Sequence, residues 1–318
     1  MVNKTCSKCS QDLCIDVVIP TYKPVFEYLE VAINSVLKQG HNYCQLVIVI
    51  DQDDNTELEN KIHNLEIPRV KTFTQKNAGQ SAARNFGIEN SEANFVALLD
   101  HDDYWLPNHL ESLAKVARNS PDSAVYFTGV SYLDFSGNIK PAKPNNEVFE
   151  KSLADLLSTN LMVWPSSMLL NKEQLGTKLR FNPIFKGYED DDLLLRISIA
   201  GKKIKPAIEH NHTIIRDHSS RHSYRDGMSQ SAAIFQEQYA ELADSLHISN
   251  KFAKRFFKSN LHLFRQVPNQ KNKDKLFDYL KSNKVKGYSP YIKPLKFLSP
   301  KLLGKILNTA VRLRNKLI

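Results

Sequence analysis

Asn94-Phe95-Val96-Ala97-Leu98-Leu99-Asp100-His101-Asp102-Asp103 reads as a buried strand running straight into a cluster of carboxylates. The five continuous apolar residues Phe95 to Leu99 fit a strand covered on both faces. The abrupt change at Asp100 places the acids at the strand's carboxyl end. Upstream the same pattern repeats. Ile15-Asp16-Val17-Val18-Ile19-Pro20 is a short β-branched run, and Gln45 to Ile50 a second, apolar from Leu46 onward. Val70 to Thr74 is a third. Between them, Phe26 to Lys38 carries Leu29, Ile33, Val36 and Leu37 on one helical stripe, Thr56 to Leu65 is a second helix, and Ser81 to Glu89 a third. Strand and helix alternating with short loops predict an α/β domain on a mixed, mainly parallel sheet with helices on both faces. In such sheets ligands bind at the carboxyl ends of the strands, and two of these ends here, Asp51-Gln52-Asp53-Asp54 and Asp100-His101-Asp102-Asp103, are acidic.

Beyond Asp103 the pattern loosens. Pro107 to Asn119 reads as a helix, Ala124 to Tyr132 as a strand, and Asp190 to Ala200 as a helix stopped by Gly201. Lys203 to Ile208 and His212 to Ile215 read as a pair of strands, and from about Gly227 the chain reads as helical. The expected organisation is a flexible tail over 1–14, a catalytic-type α/β domain over 15–225 and a basic helical extension over 226–318. Within the domain, 15–115 forms the half with the acidic, ligand-binding strand ends and 116–225 the second half.

Composition narrows the class. The chain has 318 residues, 42% hydrophobic and 24% charged, which is ordinary globular usage. The longest aliphatic run, Leu46 to Ile50, is far short of the roughly 20 apolar residues a membrane-spanning helix needs. The polar start, Met1 to Gln11, has no apolar signal core, so a cytoplasmic protein is expected. Cys6 and Cys9 form a lone CxxC, half a zinc site at most, and read as reduced thiols in a tail; Cys44 reads as a small core residue. The net charge of +9 is uneven. From residue 250 onward eighteen Lys and Arg face two acids, Asp274 and Asp278, while acids outnumber bases in the rest. That asymmetry points to an anionic partner for the tail.

Three carboxylates at Asp100, Asp102 and Asp103 repel one another unless a cation joins them. A hard divalent ion, Mn²⁺ or Mg²⁺, suits them; a solvated acidic turn ahead of the helix from Pro107 is the plainer alternative. Glu189-Asp190-Asp191-Asp192 opens a helix, where acids are favoured by the macrodipole, yet four exceed what capping needs. One of them can serve as a general base, and Glu189 and Asp191 are candidates for the acceptor side. Arg84, after the small residues of Asn77-Ala78-Gly79-Gln80-Ser81-Ala82-Ala83, offers a fixed-charge fork for phosphate or a base edge; a surface Arg on a packed helix is the alternative. His210, His212, His218 and His222 lack zinc spacing and, with Arg216 and Arg221, read as a basic loop that closes on a diphosphate or is simply solvated.

Taken together and in order, these motifs resemble the family 2 glycosyltransferases of the GT-A (Rossmann-like) fold. The resemblance is carried by Ile15 to Tyr22, by Leu46 to Asp51, and by Asn77-x-Gly79-x-Ser81-Ala82-Ala83-Arg84-Asn85-x-Gly87-Ile88. Ala97-Leu98-Leu99-Asp100-x-Asp102-Asp103-Tyr104-Trp105 and Glu189-Asp190 complete it. It spans about residues 15–225. It implies an inverting transfer from a nucleotide-sugar, a UDP-sugar favoured, to a glycan or lipid-linked acceptor, in the setting of bacterial surface polysaccharide assembly. Thr21, Tyr22, Asp51, Asp53, Arg84, Asp100, His101 and Asp102 would then bind the nucleotide-sugar. Asp102, with Asp100 and His218, would hold Mn²⁺ or Mg²⁺, and Asp190 would be the catalytic base. The family commonly has two adjacent acids after the second strand; Asp51 and Asp53 are favoured here.

Ser299-Pro300 opens a last helix with Leu302, Leu303, Ile306, Leu307, Ala310, Leu313 and Leu317 on one stripe and Lys301, Lys305, Arg312, Arg314 and Lys316 beside it. Phe252, Phe256, Phe257, Leu263 and Phe264 among Lys251, Lys254, Arg255, Lys258 and Arg265 read similarly. Basic amphipathic helices suit the cytosolic face of an anionic membrane, or pack on the domain with only their charges in water. Two rival readings remain. A sugar nucleotidyltransferase would carry a Gly-rich loop after the first strand, where this chain has Pro20-Thr21-Tyr22-Lys23-Pro24. A non-enzymatic nucleic-acid binder would use the basic tail, but two acidic clusters oppose it, and no nucleic acid is expected.

Overall fold

The computed structural model describes residues 13–40, 43–53, 55–142, 152–159, 161, 163–217 and 227–249, and beyond them 251–252, 255–256, 264, 270, 273–274 and 297–306. Over 208–211 and 227–229 only the backbone is described. The chain divides into two units, one of residues 1–150 and 161–225, the other of residues 151–160 and 226–318.

The first unit is built on β1 (Ile15–Thr21), α1 (Phe26–Leu37), β2 (Gln45–Asp51), α2 (Thr56–His63), β3 (Val70–Gln75), α3 (Gln80–Asn90) and β4 (Phe95–Leu98). It continues with β5 (Tyr104–Trp105), α4 (His109–Asn119), β6 (Ser123–Leu133) and β7 (Ile139–Pro141). α5 (Leu153–Ser158) belongs to the other unit; β8 (Met168–Asn171), α6 (Lys172–Leu175), α7 (Glu189–Ile199) and β9 (Lys203–Arg216) return to the first. The strands make one sheet in the order β3-β2-β1-β4-β8-β6-β9-β5, with β7 on β6.

β3, β2, β1 and β4 are parallel, as the alternation predicts, with Val18 opposite Val47 and Leu98. Their side chains alternate between two covered faces. Ile15, Val17 and Ile19 with Leu46, Ile48 and Ile50 join Leu29, Ile33 and Val36 of α1 and Leu110, Leu113 and Ala114 of α4 in one core. On the opposite face α3 lies so close that a Cβ on Gly87 would stand 2.3 Å from Cγ1 of Val18. Burying these aliphatic side chains, at about 1.5–3 kcal/mol each, holds the parallel half together.

The other half is more antiparallel than the alternation suggests: β8 pairs antiparallel with both β4 and β6, and β5 and β7 pair antiparallel with β9 and β6. The two strands expected over Lys203 to Ile208 and His212 to Ile215 are one strand, β9, parallel to β6. Ala207 faces Thr128 and Asn211 faces Gly129, so the polar interruption is taken up as a bulge rather than a turn. Cys44 is not a lone core thiol. It is joined to Cys14, with Cα atoms 5.8 Å apart, because the parallel register sets the starts of β1 and β2 side by side. Cys6 and Cys9 lie outside the described residues.

In the second unit, α8 (Gly227–Gln238) and α9 (Ala240–Ser245) precede an aromatic cluster. Phe235, Phe252 and Phe256 are buried, with ring centroids 5.1 Å apart for Phe252 and Phe256 and 5.7 Å for Phe235 and Phe256. Arg255 is buried among them, its guanidinium over Phe235 and Phe256, and donates to the carbonyl of Leu157 at 3.2 Å. Phe252, Phe256 and the buried Phe264 are therefore core residues, so for these three the packed alternative holds; an aromatic ring gains more among apolar neighbours than in water. Phe257 and Leu263 lie outside the described residues. At Ser299 the expected cap is present, its Oγ accepting from Leu302 N at 3.3 Å. Leu303 is buried, while Leu302, Ile306 and Phe297, the last 90% exposed, face water. Leu307, Ala310, Leu313 and Leu317 lie outside the described residues. No described helix is long and apolar enough to cross a membrane.

Candidate active site

The carboxyl ends of β1, β2 and β4 gather the residues singled out above. Thr21 ends β1 and is buried, and its Oγ1 has no hydrogen-bond partner among the described residues. An orphaned hydroxyl at a ligand-binding strand end is what a bound polar group would satisfy. Tyr22 follows, partly exposed, with Lys23 Nζ 5.4 Å from its ring centroid. Asp51 ends β2 and is buried. Its carboxylate accepts from Gln75 Nε2 at 2.7 Å, Ala78 N at 2.8 Å and Gly79 N at 2.9 Å. Register explains the first bond, since Asp51 faces Gln75 across the β2–β3 pair. Asp51 thus shapes the loop that leads into α3, a role the sequence reading did not give it. Gly79 holds φ at +91° there, a conformation that glycine adopts without strain. Asp53 is exposed.

The acidic turn after β4 is packed with partners. Oxygens of Asp100, Asp102 and Asp103 lie within 4.8 Å of one another. Asp103 is buried and accepts from the Ser166 hydroxyl at 2.6 Å and from Arg216 N at 3.1 Å. Ser166 Oγ in turn accepts from Asp100 N at 3.1 Å. Ser166 sits in a 3₁₀ turn over Pro165–Ser167, whose carbonyl also receives the Trp105 indole N–H at 2.7 Å. His101 Nδ1 stands 3.3 Å from the Pro20 carbonyl, tying this turn to the end of β1. Arg216, the last residue of β9, donates through Nε to the Asp102 carbonyl at 3.1 Å, with its guanidinium over Tyr28 and Tyr104. A hard divalent cation takes one or two carboxylates and fills its shell with water and phosphate oxygens. The half-buried Asp102 beside Asp100 fits such an ion, while Asp103 is held from behind. His218, the third expected ligand, lies outside the described residues.

Arg84 departs from its expected place. It is 1% exposed, its Nη2 bonding both Asp100 oxygens at 2.8 and 2.9 Å and its Nη1 bonding Glu189 Oε1 at 3.0 Å. Burial works against the guanidinium's charge, but the carboxylates of Asp100 and Glu189 outweigh it and raise its pKa. Both terminal nitrogens thus bond the protein's own acids, while the buried Nε has no partner among the described residues, and the small residues around it let α3 press against the sheet. Glu189, offered for the acceptor side, is buried in the same ion group.

Asp190 follows Glu189 in the first turn of α7 and is half-buried. Burial, then the charges of Asp191 and Glu189, raise its pKa well above the usual carboxylate range; the Asp191 N–H, 2.8 Å from its Oδ1, and Arg84 pull the other way. Asp191 accepts weakly from Leu161 N at 3.4 Å. Asp192 turns inward to Arg196 at 2.7 Å. Among the described residues, Glu189 and Asp192 are thus held in ion pairs, with Arg84 and Arg196. The sequence reading passed over Ser166, Gln80 (Nε2 to Asp100 Oδ2 at 3.2 Å) and Asn85, which exchanges two hydrogen bonds with Phe181. Only the Pro165-Ser166-Ser167 turn signal and the small-residue helix pointed toward them.

Comparison with known proteins adds to this geometry. The sequence model described as glycosyl transferase family 2 matches residues 16–175. An uncharacterized glycosyltransferase of Methanocaldococcus jannaschii is 28% identical over 186 residues, 57% of this chain and 63% of that protein. The succinoglycan biosynthesis protein ExoW of Rhizobium meliloti is 29% identical over 196 residues, 56% of this chain and 61% of that protein. The chain thus spans somewhat under two thirds of the length of these relatives. Among solved structures, S. aureus TarS 1-349 in complex with UDP-GlcNAc superposes with a TM-score of 0.63 at 16% identity, over 94% of this chain and 92% of that one. At that identity the likeness speaks for the fold, a mixed α/β sheet of the GT-A kind.

Proposed function

The chain belongs to glycosyl transferase family 2, and from that premise we propose that it transfers a sugar from a nucleoside diphosphate donor, UDP-linked by preference, to a hydroxyl of a glycan or lipid-linked acceptor, with inversion at the anomeric carbon. One observation carries the reading. Two acidic motifs about ninety residues apart in sequence converge on a single guanidinium, so that the acidic turn after β4 and the first turn of α7 belong to one site.

Each part then has a task. Thr21 and the loop fixed by Asp51 receive the nucleoside. Asp102, with Asp100 beside it, would hold Mn²⁺ or Mg²⁺, and a bound ion would supply positive charge against the diphosphate. Asp190 takes the proton of the acceptor hydroxyl. The acceptor oxygen bonds to the anomeric carbon as the bond to the diphosphate oxygen breaks, and the electron pair leaves with the nucleotide. A carboxylate of raised pKa is the stronger base, provided it is ionised at the working pH. UDP-GlcNAc in the TarS complex and the succinoglycan function of ExoW support a nucleotide-sugar donor and bacterial polysaccharide as the setting. Phe297, Leu302 and Ile306, exposed near Lys301 and Lys305, support binding of the second unit to an anionic membrane surface.

The test is UDP release from a panel of UDP-sugars, with Mn²⁺ and with water standing in for the acceptor hydroxyl, by wild type and Asp190→Asn. The expected result is release from at least one donor, slowed about 10²-fold or more in Asp190→Asn. Full activity of Asp190→Asn would remove the base from this account.

A further inference from the structure

Arg84 stands between two halves of the site. On one side it grips both oxygens of Asp100; on the other it holds Glu189, the residue before Asp190. Its ring contact with Phe181, 5.2 Å from the guanidinium, and the paired hydrogen bonds between Asn85 and Phe181 fasten the same turn of α3 to the segment leading to α7. That segment is tied to α7 again by Arg196, which donates to the Arg180 carbonyl at 2.6 Å. The guanidinium is buried, and three of its hydrogen-bond vectors end on these two carboxylates.

We propose that Arg84 is a positioning residue rather than a nucleotide ligand: it locks the turn that would carry the cation to the helix that would carry the base. The proposal rests on Asp190 being that base. With Nη2 of Arg84 against both of its oxygens, the Asp100 carboxylate is held in place, leaving Asp102 the more adaptable ligand. The Glu189 bond fixes the first turn of α7 and so the place of Asp190. The charged groups that weigh on Asp190 are Glu189 and Asp191 on its own helix and Arg84 on α3. Burial is the largest influence on its ionisation, and Arg84 opposes it by favouring the carboxylate.

Three measurements on the full chain test this. Calorimetry with UDP, with and without Mn²⁺, reads nucleotide binding, UDP release from the donor found above reads turnover, and carbon-13 NMR of the aspartate carboxyls, assigned with Asp190→Asn, reads the Asp190 titration. Arg84→Lys keeps the charge but not the fork. In calorimetry without Mn²⁺ its UDP affinity is expected to stay within about twofold, while kcat falls at least tenfold. Glu189→Gln moves the Asp190 titration to lower pH, and Arg84→Met moves it to higher pH. Loss of position alone would not give opposite shifts. A tenfold or greater loss of UDP affinity without Mn²⁺ in Arg84→Lys, with kcat unchanged, would return Arg84 to the nucleotide and overturn the proposal. An unmoved Asp190 titration in both Glu189→Gln and Arg84→Met would overturn it as well. Full turnover by Asp190→Asn is a different failure, that of the function on which the proposal rests.

Discussion

Replacing Arg84 with Met removes a buried cation and leaves two carboxylates facing each other. The side chains of Asp100 and Glu189 are only 16% and 10% exposed, so water cannot take the place of the guanidinium. Stripping one partner from a buried ion group costs about 3–5 kcal/mol, because the remaining charge is unpaired or must take up a proton. For a unit of this size each kcal/mol lowers the melting temperature by roughly 2–4 °C, so a fall of about 10 °C is expected. The same logic predicts recovery. Adding Asp100→Asn and Glu189→Gln to Arg84→Met leaves neutral groups in the same volume and should restore most of the loss. The assay is urea unfolding followed by near-ultraviolet circular dichroism for the single, double and triple variants. Arg84→Met costing less than about 1 kcal/mol, or a triple variant no more stable than the single one, would refute the ion group as the link between α3, β4 and α7.

Other substitutions probe separate parts. Gly87→Ala should cost about 1–3 kcal/mol by overpacking, since its Cβ would meet Val18 of the central strand; an unchanged urea midpoint would contradict the close approach of α3. Asp51→Asn should loosen the loop before α3 and weaken UDP binding at least severalfold in calorimetry, because the carboxylate holds two backbone N–H groups there. His109 is buried, stacked on Trp105 at 4.2 Å and close to Thr128 and Thr213; burial first, then the charge of His212, push its pKa well below the ordinary value. The unfolded chain binds a proton at this position below about pH 6.5 that the folded chain does not, so stability falls as pH drops beneath that value and is fully present above it. Unfolding measured from pH 7 to 5 should show a shallower decline in His109→Gln; equal slopes would contradict a neutral His109.

The parallel half was legible because its signal is local. β1, β2 and β4 are apolar at nearly every position, and α1 shows its buried stripe at helical spacing, so period and length alone separate strand from helix. The second half rests on pairing that no local period announces. β5 has two residues, β7 three and β8 four, each too short to show alternation. β9 looked like two strands because the polar residues in its middle imitate a turn, whereas the register against β6 shifts on either side of Gly129 and the strand runs on. Within the site, residue types gave the acids but not their partners. Asp51, Asp100 and Glu189 each read as ligand-facing from sequence, yet each spends hydrogen bonds on the protein's own loop or on Arg84. Those bonds join residues 16 to 105 positions apart, which sequence spacing does not reveal. Cys44 reads as core for the same reason, its partner Cys14 being thirty residues away and adjacent only through the β1–β2 register.

The central claim is that the carboxyl end of this sheet binds a nucleoside diphosphate with the help of a cation held by Asp102. Calorimetric titration of UDP, with and without Mn²⁺, into wild type and Asp102→Ala addresses it directly. The account predicts binding by wild type that strengthens at least tenfold with Mn²⁺, and no such strengthening in a folded Asp102→Ala variant. Equal UDP affinity in both proteins at every Mn²⁺ concentration, or no binding by wild type at all, would contradict it.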